Sequence, residues 1–484
     1  MLIWFVVLYI AVSVGIGLYA SRRVKNTADF VVAGRHLPLP FIVATVFATW
    51  FGSETVLGIP AKFLSDGFKG IVADPFGSSM CLILVGLFFA RPLYRMKLLT
   101  IGDYYRARYN RGVELATSIC IVISYLGWVS AQITALGLVF SVLTNGAVAP
   151  WQGMVIGTAI VLVYTLAGGM FSVAFTDLFQ MGVILGGMIY IATVVSGIAG
   201  GADVVIAHAA NAGKFEFFPA LDARSVIAFI AAWITMGFGS IPQQDVFQRV
   251  SAAKDEQTAG RGSVLGGCLY FCFAFVPMFL AYSATLIDPG LVEKYSGNDS
   301  QYILPYLILT HTPLFAQVIF FGALLAAIMS CSSATLLAPS VTFAENVLKP
   351  FLPTLADWQF LRLLRFIVFL FAMAVLAFAI GSGATIYGMV ESAYKVTLVA
   401  AFTPLAFGLY WKRATTQGAA CAIAGGLGVW IICEILIAQQ VLPAEPFLPP
   451  QFAGWLASLL GMVAGSLLPQ WYGAEKPHQH HAAA

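Results

Sequence analysis

The sequence predicts an all-α membrane protein with about thirteen transmembrane helices. Three observations predict it. Apolar residues make up 60% of the chain and charged residues only 10%, at a mean hydropathy of +0.88. A soluble domain carries about 25% charged residues. The apolar residues fall in long runs between polar breaks, far longer than the roughly 9–11 alternating residues of a barrel strand. Glycine is abundant at 46 residues, which suits close approach of helices in lipid.

Each span has its own justification. LIWFVVLYIAVSVGIGLYA, ahead of SRRVK, makes the first at 2–20. No basic segment precedes it and no small-residue cleavage site follows, so it reads as a retained span. The second, 39–65, contains WFGSETVLGIP, which sets Gly52, Ser53, Glu54 and Thr55 at mid-depth. An ionisable group there is costly unless it faces a cavity or partner, so an unwound stretch is predicted. The third and fourth cover 68–90 and 112–142. TLAGGMFSVAFTDLFQ divides the fifth, 152–168, from the sixth, 172–197. It puts Asp177 in the early turns of the sixth, with Ser172 and Thr176 four apart on one face. The seventh, 227–248, is interrupted at Pro242, which removes a backbone donor. Gln243, Gln244 and Asp245 follow near mid-span, and Arg249 is expected at the cytoplasmic boundary.

The eighth and ninth spans cover 262–285 and 314–345. The ninth holds AAIMSCSSATLLAPS, where Ala327, Ser330 and Ser333 recur every three residues and share a face. Such hydroxyls either pack against a neighbouring helix or hold an ion. The tenth is 361–381. The eleventh, 385–408, carries Glu391 and Lys395 at an i,i+4 spacing that forms an ion pair, serving either structure or a charged substrate. The last two are 417–439 and 452–472.

Basic residues set the direction. Alternate connections and the tail hold 19 of the 25 lysines and arginines, which puts the N-terminus outside and the C-terminus in the cytoplasm. The seven cysteines form no CxxC pair and read as small hydrophobes. No nucleophile–base arrangement points to an enzyme, and no repeated carbonyl filter or charged ring points to a channel. His478, His480 and His481 lie in a tail that reads as unstructured rather than as a metal site.

Four motifs in order, ATWFGSETVLGIP, TLAGGMFSVAFTDLFQ, GSIPQQDVFQRV and AAIMSCSSATLLAPS, resemble the sodium:solute symporter family over nearly the whole chain. The pattern is most similar to its high-affinity choline transporter branch. The resemblance implies a LeuT-type fold. Residues 1–30 would hold an extra helix, 39–197 and 227–408 two inverted five-helix repeats, 417–472 two final helices, and 473–484 a cytoplasmic tail.

The resemblance also implies a site. Sodium, the one metal expected, would take the carbonyls of Ala48, Phe51 and Ala327, the Ser330 hydroxyl and residue 331. That last position is Cys331 here, and a thiol is a poorer ligand for a hard ion. Asp177, with Ser172, Thr176 and Ser333, would form a second sodium site or an exit site. The solute would meet Trp50, Glu54, Thr55, Gln243, Gln244, Tyr387, Glu391 and Tyr394. Gln243 and Val390 replace two cage tryptophans of the choline branch. The implied activity is sodium-coupled uptake of an amino acid, another zwitterion or an organic carboxylate by alternating access. Proton coupling or a quaternary-amine solute is the alternative, with an ion channel or solute sensor behind them. The expected setting is an inner or plasma membrane. Lipid and a small solute are the expected partners, without nucleic acid, around a monomer or weak oligomer.

Overall fold

The computed structural model describes residues 2–352 and 355–470. Lys476, the tail histidines and the end of the last predicted span lie outside the described residues. The described chain is helical throughout, and its only strand-like feature is a single bridge between Leu37 and Ala253. Nine of its helices have the length and hydropathy to cross a membrane.

The first, α1 (Leu2–Ser21), buries only Val6, Ser13, Gly17 and Ala20 and leaves Trp4 and Leu8 exposed. The second predicted span is broken. Helix α2 (Leu39–Trp50) stops where Phe51 turns out of helical geometry, and α3 (Ile59–Asp66) resumes after a wide turn over Glu54–Gly58. The third span runs on to Arg95. A short helix, α4 (Ile101–Arg108), is capped by Thr100 and Asp103 and leads into the long α5 (Arg111–Leu143). The fifth and sixth predicted spans are joined without a loop. Both fall within α6 (Pro150–Ile198), which kinks at Gly169. Glycine is required there: φ is +49°, and a Cβ would lie 2.3 Å from the Phe30 carbonyl oxygen.

A second break mirrors the first. Helix α7 (Ala223–Gly237) ends before Pro242, and α8 (Gln244–Ala252) begins after it, with every residue of α8 buried. The remaining long helices are α9 (Glu256–Ile287), α10 (Leu314–Thr342) and α11 (Asp357–Gly381). Then α12 (Ile386–Thr397) continues through a wide turn into α13 (Thr403–Tyr410). The final pair, α14 (Thr416–Ala438) and α15 (Pro450–Leu467), pack on each other.

The packing is inverted relative to a soluble protein. Glu54, Asp74, Asp177, Asp245 and Arg249 are buried, while Leu87, Phe88, Ile189, Ile432 and Leu460 are exposed. That is the pattern expected when lipid surrounds the outside and polar chemistry lies within. Helix α10 runs through the middle, against α5 and α6, with the broken α2 and α8 beside it. The molecule thus brings both breaks to one interior region. On the side of α8, α4 and its C-cap are fastened to α13 and the wide turn before it: Tyr105 Oη donates to the Ala401 carbonyl at 2.8 Å and Tyr109 Oη to that of Pro404 at 2.7 Å. Arg108 Nε donates to the Gly408 carbonyl at 2.8 Å.

Candidate functional site

The break in α2 releases backbone oxygens. A helix leaves its last four carbonyls without intrahelical partners. Here the Phe51 N–H closes onto Phe47, and the Trp50 carbonyl accepts Thr55 Oγ1 at 3.1 Å. The Ser53 N–H, which would continue the helix onto Thr49, donates instead to Gln132 Oε1 at 2.9 Å. The Ala48 carbonyl belongs to this released end. Close by, three helices converge on one carboxylate. Asp177 of α6 accepts Ser330 Oγ of α10 and Thr45 Oγ1 of α2, each at 2.5 Å. All three are fully buried, as is Ala327 one turn before Ser330. A carboxylate, two hydroxyls and released carbonyls form a hard-oxygen set of the kind a small cation takes.

The second cluster is aromatic and acidic. Trp50 stacks on Tyr394 of α12 at 5.9 Å and 14°. Trp128 of α5 meets Trp50 and Tyr394, both at 5.5 Å, and stacks on Tyr125 at 5.8 Å. Each carboxylate of this region bonds to one of these rings. Trp128 Nε1 donates to Glu54 Oε1 at 3.2 Å, and Gln132 Nε2 holds Oε2 at 2.6 Å. Tyr125 Oη donates to Asp245 Oδ1 and accepts the Asp245 N–H at 2.9 Å. Asp245 Oδ2 and Tyr394 Oη are both buried without a partner among the described residues. Unpaired polar atoms inside a protein are costly, so their presence together marks a place for a ligand. Behind Glu54, Thr55 Oγ1 lies 3.2 Å from Tyr270 Oη, which donates to the buried Asp74 at 2.5 Å.

The family profile described as "Sodium:solute symporter family" matches residues 30–426. The chain belongs to the sodium:solute symporter family. It is a multi-pass membrane transporter and not an enzyme. High affinity choline transporter 1 of Homo sapiens is 27% identical over 442 residues, covering 88% of this chain and 75% of that protein. The sodium/glucose cotransporter of Vibrio parahaemolyticus is 24% identical, covering 87% and 82%. Among solved structures, the substrate-bound outward-open state of a Na+-coupled sialic acid symporter aligns with a TM-score of 0.81 at 21% identity, over 97% of this chain and 98% of that one. MhsT in complex with L-phenylalanine aligns at 0.51 and 15% identity, over 88% and 98%. The fold is therefore shared with transporters of the LeuT type.

Within this symporter the expected site residues separate. Asp177 and Ser330, read from the sequence as parts of two sites, share one hydrogen bond. Ser172 Oγ is spent on the Gly17 carbonyl of α1. Thr176 and Ser333 bond back into their own helices, at 2.9 Å to the carbonyls of Ser172 and Ser330. Cys331 points elsewhere: a Cβ built on Gly52 would lie 2.8 Å from its Sγ and 2.7 Å from Glu54 Oε2. Its thiol therefore sits on the Glu54 side, because one residue along a helix turns the side chain by about 100°.

The expected solute residues also divide. Trp50, Glu54, Thr55 and Tyr394 belong to the aromatic and acidic region. Gln243 lies deeper, with Nε2 at 3.0 Å from Ser124 Oγ and 3.4 Å from Thr397 Oγ1. Gln244 turns away from it: Oε1 accepts the Ile101 N–H at the start of α4 at 2.8 Å. Tyr387 reaches the Gly70 carbonyl at 3.3 Å, and the Glu391–Lys395 pair, 3.9 Å apart, is half-buried rather than central. Arg249 is only 2% exposed, so it faces other helices rather than open solvent. The sequence reading missed Trp128, Tyr125, Thr45 and Asp74. Each is one polar or aromatic residue in an apolar run, and only i,i+4 spacing, as of Thr45 with Thr49, hinted at a shared face.

Proposed function

We propose that this symporter couples sodium entry to uptake of a small organic solute carrying an ammonium centre. One observation carries the reading: the clustered rings of Trp50, Trp128, Tyr125 and Tyr394 are hydrogen-bonded, through Trp128 and Tyr125, to the carboxyls of Glu54 and Asp245, and Asp245 Oδ2 and Tyr394 Oη have no partner among the described residues. Aromatic faces and carboxylates both favour a cation. Trp128, Tyr125 and Tyr394 make up for the cage walls that Gln243 and Val390 do not supply. An amino acid, another zwitterion or a quaternary amine suits this region better than a simple carboxylate.

Sodium is the co-substrate in this reading. It binds between α2, α6 and α10, at Asp177, Thr45, Ser330 and the carbonyls of Ala48, Phe51 and Ala327. It ties the broken helix to α10 and favours the outward-facing state that accepts solute. Coupling is then a population shift, which requires unequal sodium affinity in the two states. One charge crossing 100 mV releases about 2.3 kcal/mol, enough to hold a solute gradient near fiftyfold. Residues 39–197 and 227–408 are the two halves that move, with the N-terminus outside, as supported by the 19 of 25 basic residues in alternate connections and the tail.

The test is competition in proteoliposomes bearing an inward sodium gradient. Quaternary amines, amino acids and monocarboxylates are compared as competitors of whichever labelled solute accumulates. Competition by the ammonium compounds and not by the carboxylates is expected. The reverse order overturns the cation reading and leaves the family assignment standing.

A further inference from the structure

Arg249 is a buried cation, 2% exposed, set near the buried acids Asp177 and Asp245. Its contacts are few. One terminal nitrogen donates to Thr49 Oγ1 at 2.9 Å, the other to the Asp245 carbonyl at 3.0 Å, and Nε is buried without a partner among the described residues. Among those residues it makes no ion pair within 4 Å, so its charge is not consumed by one carboxylate.

Its position relative to Asp177 follows from α2. Thr45 and Thr49 are four residues apart and share a face. Thr45 holds Asp177 at 2.5 Å and Thr49 holds the guanidinium at 2.9 Å. One helical turn rises about 5.4 Å, so the two charges stand on adjacent rungs of one ladder. A monovalent ion at Asp177 and Ser330 would then feel a fixed positive charge one turn away, in a buried interior that screens charge less than bulk water does.

Resting on the reading of Asp177 as the sodium site, we propose that Arg249 is a tethered internal cation that holds sodium affinity down and, from beside the site, balances the charge of Asp177 when the ion leaves. The residue positions no reacting atom. It tunes release. A site that bound sodium without this opposing charge would hold the ion too tightly to empty into the cytoplasm. Thr49 and the Asp245 carbonyl keep the guanidinium beside the site in place of a direct pair, which would close the site against sodium altogether.

The experiment is saturation binding of radioactive sodium to the purified full chain, which requires no knowledge of the solute. Arg249→Gln should lower the half-saturating sodium concentration about tenfold and slow sodium dissociation, whereas Arg249→Lys, which keeps the charge, should stay within about twofold of the parent. A half-saturating value in Arg249→Gln equal to or above the parent overturns the proposal, as does an equal shift in both variants, which would trace the effect to packing. Comparing Asp177→Asn with Asp177→Asn/Arg249→Gln keeps the test open if the single neutral variant does not fold. In that background the ion still faces the guanidinium, so removing Arg249 should again lower the half-saturating value; no shift there refutes repulsion of the ion as the cause. If the parent shows no saturable sodium binding, the sodium-site reading fails, an outcome separate from failure of the Arg249 proposal.

Discussion

Gly52→Ala is the perturbation whose consequence is best fixed by geometry. A Cβ at residue 52 would lie 2.7 Å from Glu54 Oε2, 2.8 Å from Cys331 Sγ and 2.9 Å from Cys331 Cβ. Ordinary contact begins at about 3.4 Å, so at least ~0.5 Å must be found on each side. Neither side gives easily. Cys331 is fixed within α10, and Glu54 is held by Gln132 at 2.6 Å and Trp128 at 3.2 Å. Forcing α2 from α10 costs about 1–3 kcal/mol as overpacking. Dislodging Glu54 instead forfeits two hydrogen bonds of a buried carboxyl, about 0.5–1.5 kcal/mol each. Either route predicts solute affinity at least about fivefold weaker, since 1.4 kcal/mol is tenfold. The assay is solute uptake and thermal unfolding of the purified variant beside Gly322→Ala, where a Cβ meets nothing within 4 Å. The control should match the parent. Adding Cys331→Gly to Gly52→Ala should recover part of the loss. Parental affinity and stability in Gly52→Ala would refute the close approach of the broken stretch to Cys331.

Three further outcomes are expected. Tyr394→Phe removes a buried hydroxyl that has no partner among the described residues. It should leave thermal stability equal or raised by about 1 kcal/mol and weaken solute affinity several-fold, read by uptake competition. Gln244→Ala strips the acceptor from the Ile101 N–H. It should cost about 1–3 kcal/mol and speed hydrogen exchange over 101–108, with solute preference unchanged. Thr45→Val keeps the shape of the side chain but deletes a hydroxyl from Asp177, and should raise the half-saturating sodium concentration about three- to tenfold in equilibrium binding.

Much of the fold was legible because membrane helices announce themselves by apolar length, and breaks announce themselves by Gly52, Ser53 and Pro242. Gly169 was less legible. A glycine pair between two apolar runs reads as a connection, and only its φ of +49° shows a kink within one helical stretch. The site was legible one half at a time. Ser330 was marked by its run of hydroxyls and Asp177 by a charge in the early turns of its span, but they are 153 residues apart, and no local pattern encodes that they touch. Trp128 is a lone tryptophan in α5 with no periodic partner; its role depends on Glu54, 74 residues earlier. The partners of Gln244 and Arg249 were not legible for one reason. Distance from Pro242 gives depth along α8, but not which neighbour the short helix turns each residue towards.

The most direct test of the sodium-coupled account is accumulation of the labelled ammonium solute in proteoliposomes as the sodium gradient is imposed, removed and reversed, for the parent and for Asp177→Asn. The parent should concentrate solute only under the inward gradient. The variant, whose neutral side chain no longer offers an anion to Ser330 and Thr45, should need at least about tenfold more sodium for the same uptake. Equal accumulation with and without sodium, or a sodium dependence untouched by Asp177→Asn, would contradict it.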